Sequence, residues 1–420
     1  MAHPLAVNTR SLERRLVNDI FGNRVSVTSQ AALRHYDRAV DAQLHAWPGV
    51  LEHIDAALTH APEFALPYAL KALGLMARGE ASPALAALAR AQTCVQRALP
   101  REQSQVALVT SILEGRSHDA LAQVTEHARQ YPTDALAAST ALGAYGLFGF
   151  SGRSDHDAAR LAFVDALAPH FPVDFPWLTS YRGWARIETG QVQEGLAMAQ
   201  GALALRPDNG HNAHIVMHGY FELGASDAAL DFLAQWLPTY PEHAQMWGHL
   251  QWHAALAEIE LGLLDAAVAR LLGPITDYLP RGLPFMGLAD TVALTWQLGL
   301  LGVSGLPWAM VQKHAKRHFP EGSNVFGELH LTLLAAARRD HRAVLASLRR
   351  LEKIAQRGHG GAPVAIQFAQ GLAALIEGDG DGARKHLDAC RADAVCLGGS
   401  HAQRRIVEQT QMACRLPLLH

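Results

Sequence analysis

"ARIETGQVQEGLAMAQGALALRP" (185–207), "GYFELGASDAALDFLAQWLPTYP" (219–241) and "AEIELGLLDAAVARLLGP" (257–274) are three versions of one pattern. Each closes a helix, turns at a glycine, runs a second helix with small residues on its inner side, and ends at a proline. Gly190 and Gly224 are 34 residues apart, and so are Pro207 and Pro241. A helix-turn-helix period of 34 is the tetratricopeptide signature. Ala229 and Ala267 fall where paired helices must approach closely, and the proline is expected to stop the second helix at a fixed length.

The same grammar extends outward more loosely, in "APEFALPYALKALGLMARGEASPALAALARA" (61–91) and "HLTLLAAARRDHRAVLASLRRLEKIA" (330–355). Apolar residues recur at i, i+3, i+4 and i+7 through "ALRHYDRAVDAQLHAW" (32–47), "PALAALARAQTCVQRAL" (83–99) and "HDALAQVTEHARQY" (118–131), so these read as helices. Sustained period-2 alternation is nearly absent. The expected class is all-α: an α-solenoid of tetratricopeptide-like hairpins closed into a tight superhelix. Such hairpins cannot bury their apolar faces alone and must stack. The expected layout is an N-terminal arm over 1–28, the solenoid over 29–396 and a C-terminal capping helix over 397–420.

Composition narrows the function. With 420 residues, 49% of them hydrophobic, the chain can bury a large core. A formal charge of −3 without blocks of like charge argues against nucleic-acid or membrane-surface partners. Cys94, Cys390, Cys396 and Cys414 show no CxxC spacing, which supports neither a disulfide framework nor a zinc ribbon and suits a reducing cytoplasm. The uncharged run "VALTWQLGLLGVSGLPWAMV" (292–311) is as long as a membrane span. Its glycines, Gln297, Ser304 and Pro307 read better as a turn between two buried helices. No Gly-rich phosphate loop, nucleophile elbow or catalytic Cys/His pairing is present.

What stands out is histidine. "HNAHIVMHGY" (211–220) carries His211, His214 and His218, and "HLQWH" (249–253) carries His249 and His253. Both stretches open a repeat, on the helix expected to line the inner face. Two imidazoles four apart share one helical face, and first helices of neighbouring repeats pack about 10 Å apart. The two HxxxH pairs can therefore converge. Convergent imidazoles suit a divalent metal, completed by a carboxylate such as Glu188, Asp290 or Glu328, with His330 close by in sequence. They equally suit acid/base chemistry on a bound small molecule, or a plain polar groove for a peptide. HxxxH lacks the glutamate that makes HExxH specific, and 23 histidines make some i,i+4 pairs a matter of chance. Trp177, Trp184, Trp247 and Trp252 cluster nearby, as core or as the floor of a pocket. Glu102, in "PREQ" (100–103), is explained by a helix dipole.

"HNAHIVMHGYFELG" (211–224), "HLQWHAALAEIELG" (249–262) and "LGGSHAQRRIVEQ" (397–409) resemble the tetratricopeptide repeat protein 38 family, and "PREQSQVALV" (100–109) and "YPTDALA" (131–137) resemble its N-terminal half. The likeness runs from about residue 30 to 415, and GGSxAQR is its most specific piece. By that resemblance His214, His218, His249, Trp252 and His253 match the family's paired histidines and HxxWH. Asp290, His330, Ser400, Gln403 and Arg404 fall on positions of the same residue types. The chain departs from the family at Tyr220, where a further histidine is expected, and at Leu142 and Gly143, where a His-Asp pair is expected. The resemblance implies a fold more than an activity, and it suggests that residues from 214 to 404 share one enclosure.

The combined expectation is a His-rich pocket for a small anionic metabolite. His214, His218, His249, His253, Asp290 and His330 would be its reactive groups, with the four histidines at 214, 218, 249 and 253 as metal ligands where a divalent ion is held. Trp252, Glu188, Tyr220, Ser400, Gln403 and Arg404 would contact the ligand. As an enzyme it would be a histidine- or metal-dependent lyase or hydrolase. The competing expectation is a non-enzymatic scaffold for a partner protein, and a homodimer is compatible with either.

Overall fold

The structure, a computed structural model, describes residues 17–414. The expected arm (1–28) and cap (397–420) thus lie partly outside the described residues. Two compact units are present. The first comprises 17–138 apart from 45–48 and 77–79; the second comprises those two short stretches together with 139–414.

The first unit opens with a minimal antiparallel hairpin, β1 (Val17–Asn18) and β2 (Arg24–Val25). Asp19 Oδ1 accepts from the backbone N–H of Phe21 and Asn23 and so shapes its turn. Helices follow: α1 (Gln30–Leu44), α2 (Val50–His60), α3 (Ala65–Ala77), α4 (Ala81–Cys94), α5 (Pro100–Leu113), α6 (Ser117–Gln130) and α7 (Ala135–Ser139). Ala69, Ala84, Leu88, Val106 and Val109 form its core. Beside that core sits a buried ionic network. Arg101 pairs with Asp134 at 2.5 Å and Asp19 at 3.5 Å, and His127 bridges Asp134 (3.1 Å) and Ser104 (2.9 Å). Glu102 does more than meet a helix dipole: fully buried, it accepts from Leu99 N and from Ser26 N, tying the start of α5 to the segment after the hairpin.

The second unit contains α8 (His156–Leu167), α9 (Pro176–Glu188), α10 (Val192–Leu205), α11 (Gly210–Glu222), α12 (Ser226–Trp236), α13 (Trp247–Glu260), α14 (Leu264–Arg270), α15 (Thr276–Tyr278), α16 (Pro284–Leu300), α17 (Trp308–His318), α18 (Val325–Ala337), α19 (His341–Gln356), α20 (Ala362–Glu377), α21 (Gly380–Cys390) and α22 (His401–Ala413). It is an all-α array of tetratricopeptide-like hairpins: α9/α10, α11/α12 and α13/α14 are the three repeats seen in the sequence. Their first helices pack on one another in order, α9 on α11, α11 on α13, and onward to α16, α18 and α20. Gly190, Gly224 and Gly262 take the left-handed backbone that the inter-helix turn requires. Within the first repeat the crossing is so close that a Cβ on Gly183 would lie 2.7 Å from the Gly195 carbonyl oxygen. Ala229 and Ala267 are buried as expected.

One expectation about prolines changes. Pro207 stands two residues past the end of α10, but Pro274 does not stop the third repeat. The chain passes through a π-turn at Leu271–Ile275, which accommodates the missing N–H, and resumes as α15. The uncharged run at 292–311 splits, as expected, into the end of α16, a turn and the start of α17. No helix among the described residues is long and apolar enough to cross a membrane. The four cysteines are free thiols.

Candidate metal centre

The inner helices α11 and α13 bring their histidine pairs together. Asn209 caps α11 by accepting from Asn212 N (3.0 Å), and the Asn212 amide donates to Ala199 O (2.9 Å), fixing the rotation of α11 against α10. This rotation points His214 and His218 at α13. Gly248, whose missing side chain leaves room for the Tyr278 ring, and Trp252, buried among apolar neighbours, fix α13 in turn. One ring nitrogen from each of His214, His218, His249 and His253 then lies within 4.8 Å of the corresponding nitrogen of the other three. None of the four rings is more than 8% exposed.

Two carboxylates stand behind these rings. Both oxygens of Asp290, on α16, accept from His249 Nδ1–H at 2.9 Å. Glu188, the last residue of α9, places Oε1 3.5 Å from His218 Nδ1. With its proton held on Nδ1 by Asp290, His249 presents its lone pair on Nε2. His214 Nε2 is 2.9 Å from His218 Nε2 and 3.0 Å from His249 Nε2. A single nitrogen cannot donate to one neighbour and accept from another, so three Nε2 atoms at these distances are not a satisfied hydrogen-bond chain. His253 Nε2 is buried with no hydrogen-bond partner at all. Burial, then the neighbouring imidazoles, push His214, His218 and His253 well below the usual histidine range, so these rings are neutral, as metal ligands must be.

The donor set fits a metal. Imidazole nitrogens roughly 2.0–2.1 Å from a tetrahedral ion would lie about 3.4 Å apart, between the shortest and longest separations here. All-imidazole ligation with no thiolate suits zinc, copper, iron or nickel rather than magnesium or calcium. Trp184 packs edge-on to His218 at 4.5 Å and Trp252 stacks on His249 at 5.1 Å, walling the centre with apolar surface.

The other expected residues are placed differently. Asp290 does not complete the ligand set but holds the His249 ring from behind, and Glu188 stands behind His218 without a hydrogen bond to it. Glu328 is turned to Arg350 at 2.7 Å. His330 stays on its own helix: Nδ1–H donates to Phe326 O at 2.8 Å, and burial pushes the ring down to about 4. That i−4 carbonyl captures the proton, which is why a histidine on an inner helix does not join the cluster. Tyr220 faces the second helices, its ring against Phe232 and its hydroxyl accepting from Gln200. Ser400 and Gln403 form the capping box of α22, with Gln403 Nε2 donating to Tyr145 Oη at 2.7 Å. This S-x-x-Q signature was readable in the sequence. Arg404 does reach the neighbourhood, 3.8 Å from Glu188 and 3.5 Å from Asp157. The motif reading missed Asp157 and Arg160, because α8 carries no repeat pattern.

The sheltered space is small. A cavity of about 20 Å³ touches His249 and Asp290, and one of about 10 Å³ touches Trp252 and Gln403. Each has room for about one water and is too small for a metabolite. No protein-family model matches the chain. Among solved structures, the crystal structure of the P58(IPK) TPR domain aligns over 93% of this chain and 99% of that chain, at 14% identity and a TM-score of 0.20. At that score the helical-repeat fold stands on the chain's own hairpin geometry.

Proposed function

We propose that this chain is a metalloprotein, a tetratricopeptide-like solenoid holding one divalent transition metal on His214, His218, His249 and His253. The observation that supports this reading is the convergence of four buried imidazole nitrogens, with the outer proton of His249 committed to Asp290. A polar groove would leave histidines exposed for a peptide; here the rings are buried, and a chain lying along the inner helices could not touch them. The scaffold reading is therefore the weaker one. Lewis acidity and a bound hydroxide at neutral pH would need a coordination position beyond the four imidazoles; with one, the ion would suit a hydrolase or lyase acting on a small anionic substrate. Asp290 would hold the His249 ring and increase its basicity.

On this reading the chain is a bacterial member of the tetratricopeptide repeat protein 38 family, cytoplasmic, with segment 1–28 as an arm and 397–420 as a cap. Elemental analysis of untagged protein tests it. One equivalent of zinc, iron, nickel or copper is expected, lost in His214→Ala/His253→Ala. Metal-free protein whose melting temperature ignores added metals would end this reading.

A further inference from the structure

Near Trp184, the ring that packs against His218, lies a second buried polar group. Arg160 on α8 is 1% exposed and sits 5.9 Å from the Trp184 ring. Its Nε has no hydrogen-bond partner; its Nη1 lies 3.0 Å from Asp157 Oδ1 but out of line for a hydrogen bond. Nη2 donates to His156 Nδ1 at 3.3 Å, so that Nη1 has an ion-pair partner but no aligned acceptor and Nε has neither. Around it Asp157 Oδ1, Trp184 Nε1 and Glu188 Oε1 are also buried without hydrogen-bond partners. Arg404 approaches from α22, Nη1 on Gly399 O and Nη2 toward Asp157 and Glu188.

A buried guanidinium whose Nε and Nη1 lack an aligned acceptor is costly unless something planar and anionic completes its fork. Arg101, also buried, likewise leaves Nε without a partner but engages both Nη atoms, donating to Asp134 and to Arg24 O. We propose that Arg160 and Arg404 form an oxyanion subsite for a carboxylate or phosphate group, adjoining the metal centre through Glu188. It names the substrate class of the proposed enzyme, and it rests on the metal reading for its charge. With a divalent ion in place, that ion and the two guanidiniums carry four positive charges against the carboxylates of Asp157, Glu188 and Asp290. Metal and anion should then bind with positive, reciprocal coupling. Asp157, 14% exposed, marks the solvent edge of the subsite.

The test is calorimetric titration of inorganic phosphate, and separately malonate, into metal-loaded and metal-stripped protein at fixed ionic strength, with chloride as control. The expected result is saturable binding of at least one oxyanion, tighter with metal. It should weaken about tenfold or more in Arg160→Met, whose metal content is unchanged. Arg160→Met replaces a buried charge by an apolar chain of similar length and is expected to fold. Arg160→Lys, keeping the charge without the fork, is the second variant and should recover only part of the affinity. No saturable binding to the metal-loaded wild type, or equal binding by Arg160→Met, overturns the subsite. Arg160-dependent phosphate binding in a protein that takes up no metal would leave the subsite standing and remove the metal reading alone.

Discussion

His249 shows how much a single residue contributes beyond its own nitrogen. Asp290 takes its Nδ1 proton with both oxygens, and Trp252 stacks on its face, so tautomer and orientation are fixed before any ligand arrives. Removing the carboxylate should leave the ring in place but free to present either nitrogen. Asp290→Ala is therefore expected to weaken metal binding about 10–100-fold, measured by competition with a chromophoric chelator. Asp290→Asn, which still accepts a hydrogen bond, should fall between. Unchanged affinity in both would mean that Trp252 stacking alone orients the ring. The two HxxxH pairs were legible in the sequence, because helical spacing fixes which face a side chain occupies. Whether Asp290 faced the centre or the back of a ring was not, since that depends on the rotation of α16 against α13. His330 had the same credentials as the others and was captured by its own backbone.

At the scale of elements, the glycine turns and hairpin order were written in the 34-residue period, and the π-turn around Pro274 was not. The start of α22 carries a role that the resemblance did not imply. Ser400 and Gln403 satisfy the helix N-terminus reciprocally, so Ser400→Ala should cost about 1 kcal/mol in thermal unfolding while metal content stays whole. Loss of metal with stability intact would instead place Ser400 at the ligand. In the first unit, Asp134 fastens α5, α6 and the segment leading into α7. Burial alone would raise its carboxyl, but the hydrogen bond from His127 and the charge of Arg101 outweigh that and hold it at about 2. Its folded value lies below the unfolded value of about 3.9, so the unfolded state binds the extra proton. The stabilisation is then fully present above about pH 4 and is lost as pH falls toward 2. Asp134→Asn should flatten that part of the stability profile. It should also destabilise the first unit by about 3–5 kcal/mol at neutral pH, because Arg101 keeps its buried charge without its closest partner. Denaturant melts across this pH range check both effects.

For the molecule as a whole, the repeat period predicted stacked hairpins but gave no sign that internal contacts would divide the chain near residue 138, because periodicity describes each hairpin and not how densely neighbours pack. That division makes the metal reading separable from general stabilisation. The four imidazoles come from α11 and α13, and the carboxylates behind them from α9 and α16, so one ion would staple four successive inner helices of the second unit. Binding that favours the folded state stabilises it by about 2.7 kcal/mol when free metal is 100 times its Kd. Because every group involved lies in 139–414, this gain should slow hydrogen exchange across α9, α11, α13 and α16 and leave α1 to α6 unaffected. Exchange mass spectrometry of metal-loaded against chelator-treated protein reads this directly. Protection spread evenly over both units would indicate binding outside the histidine cluster, and no protection in α11 and α13 would mean that the four rings pack without an ion.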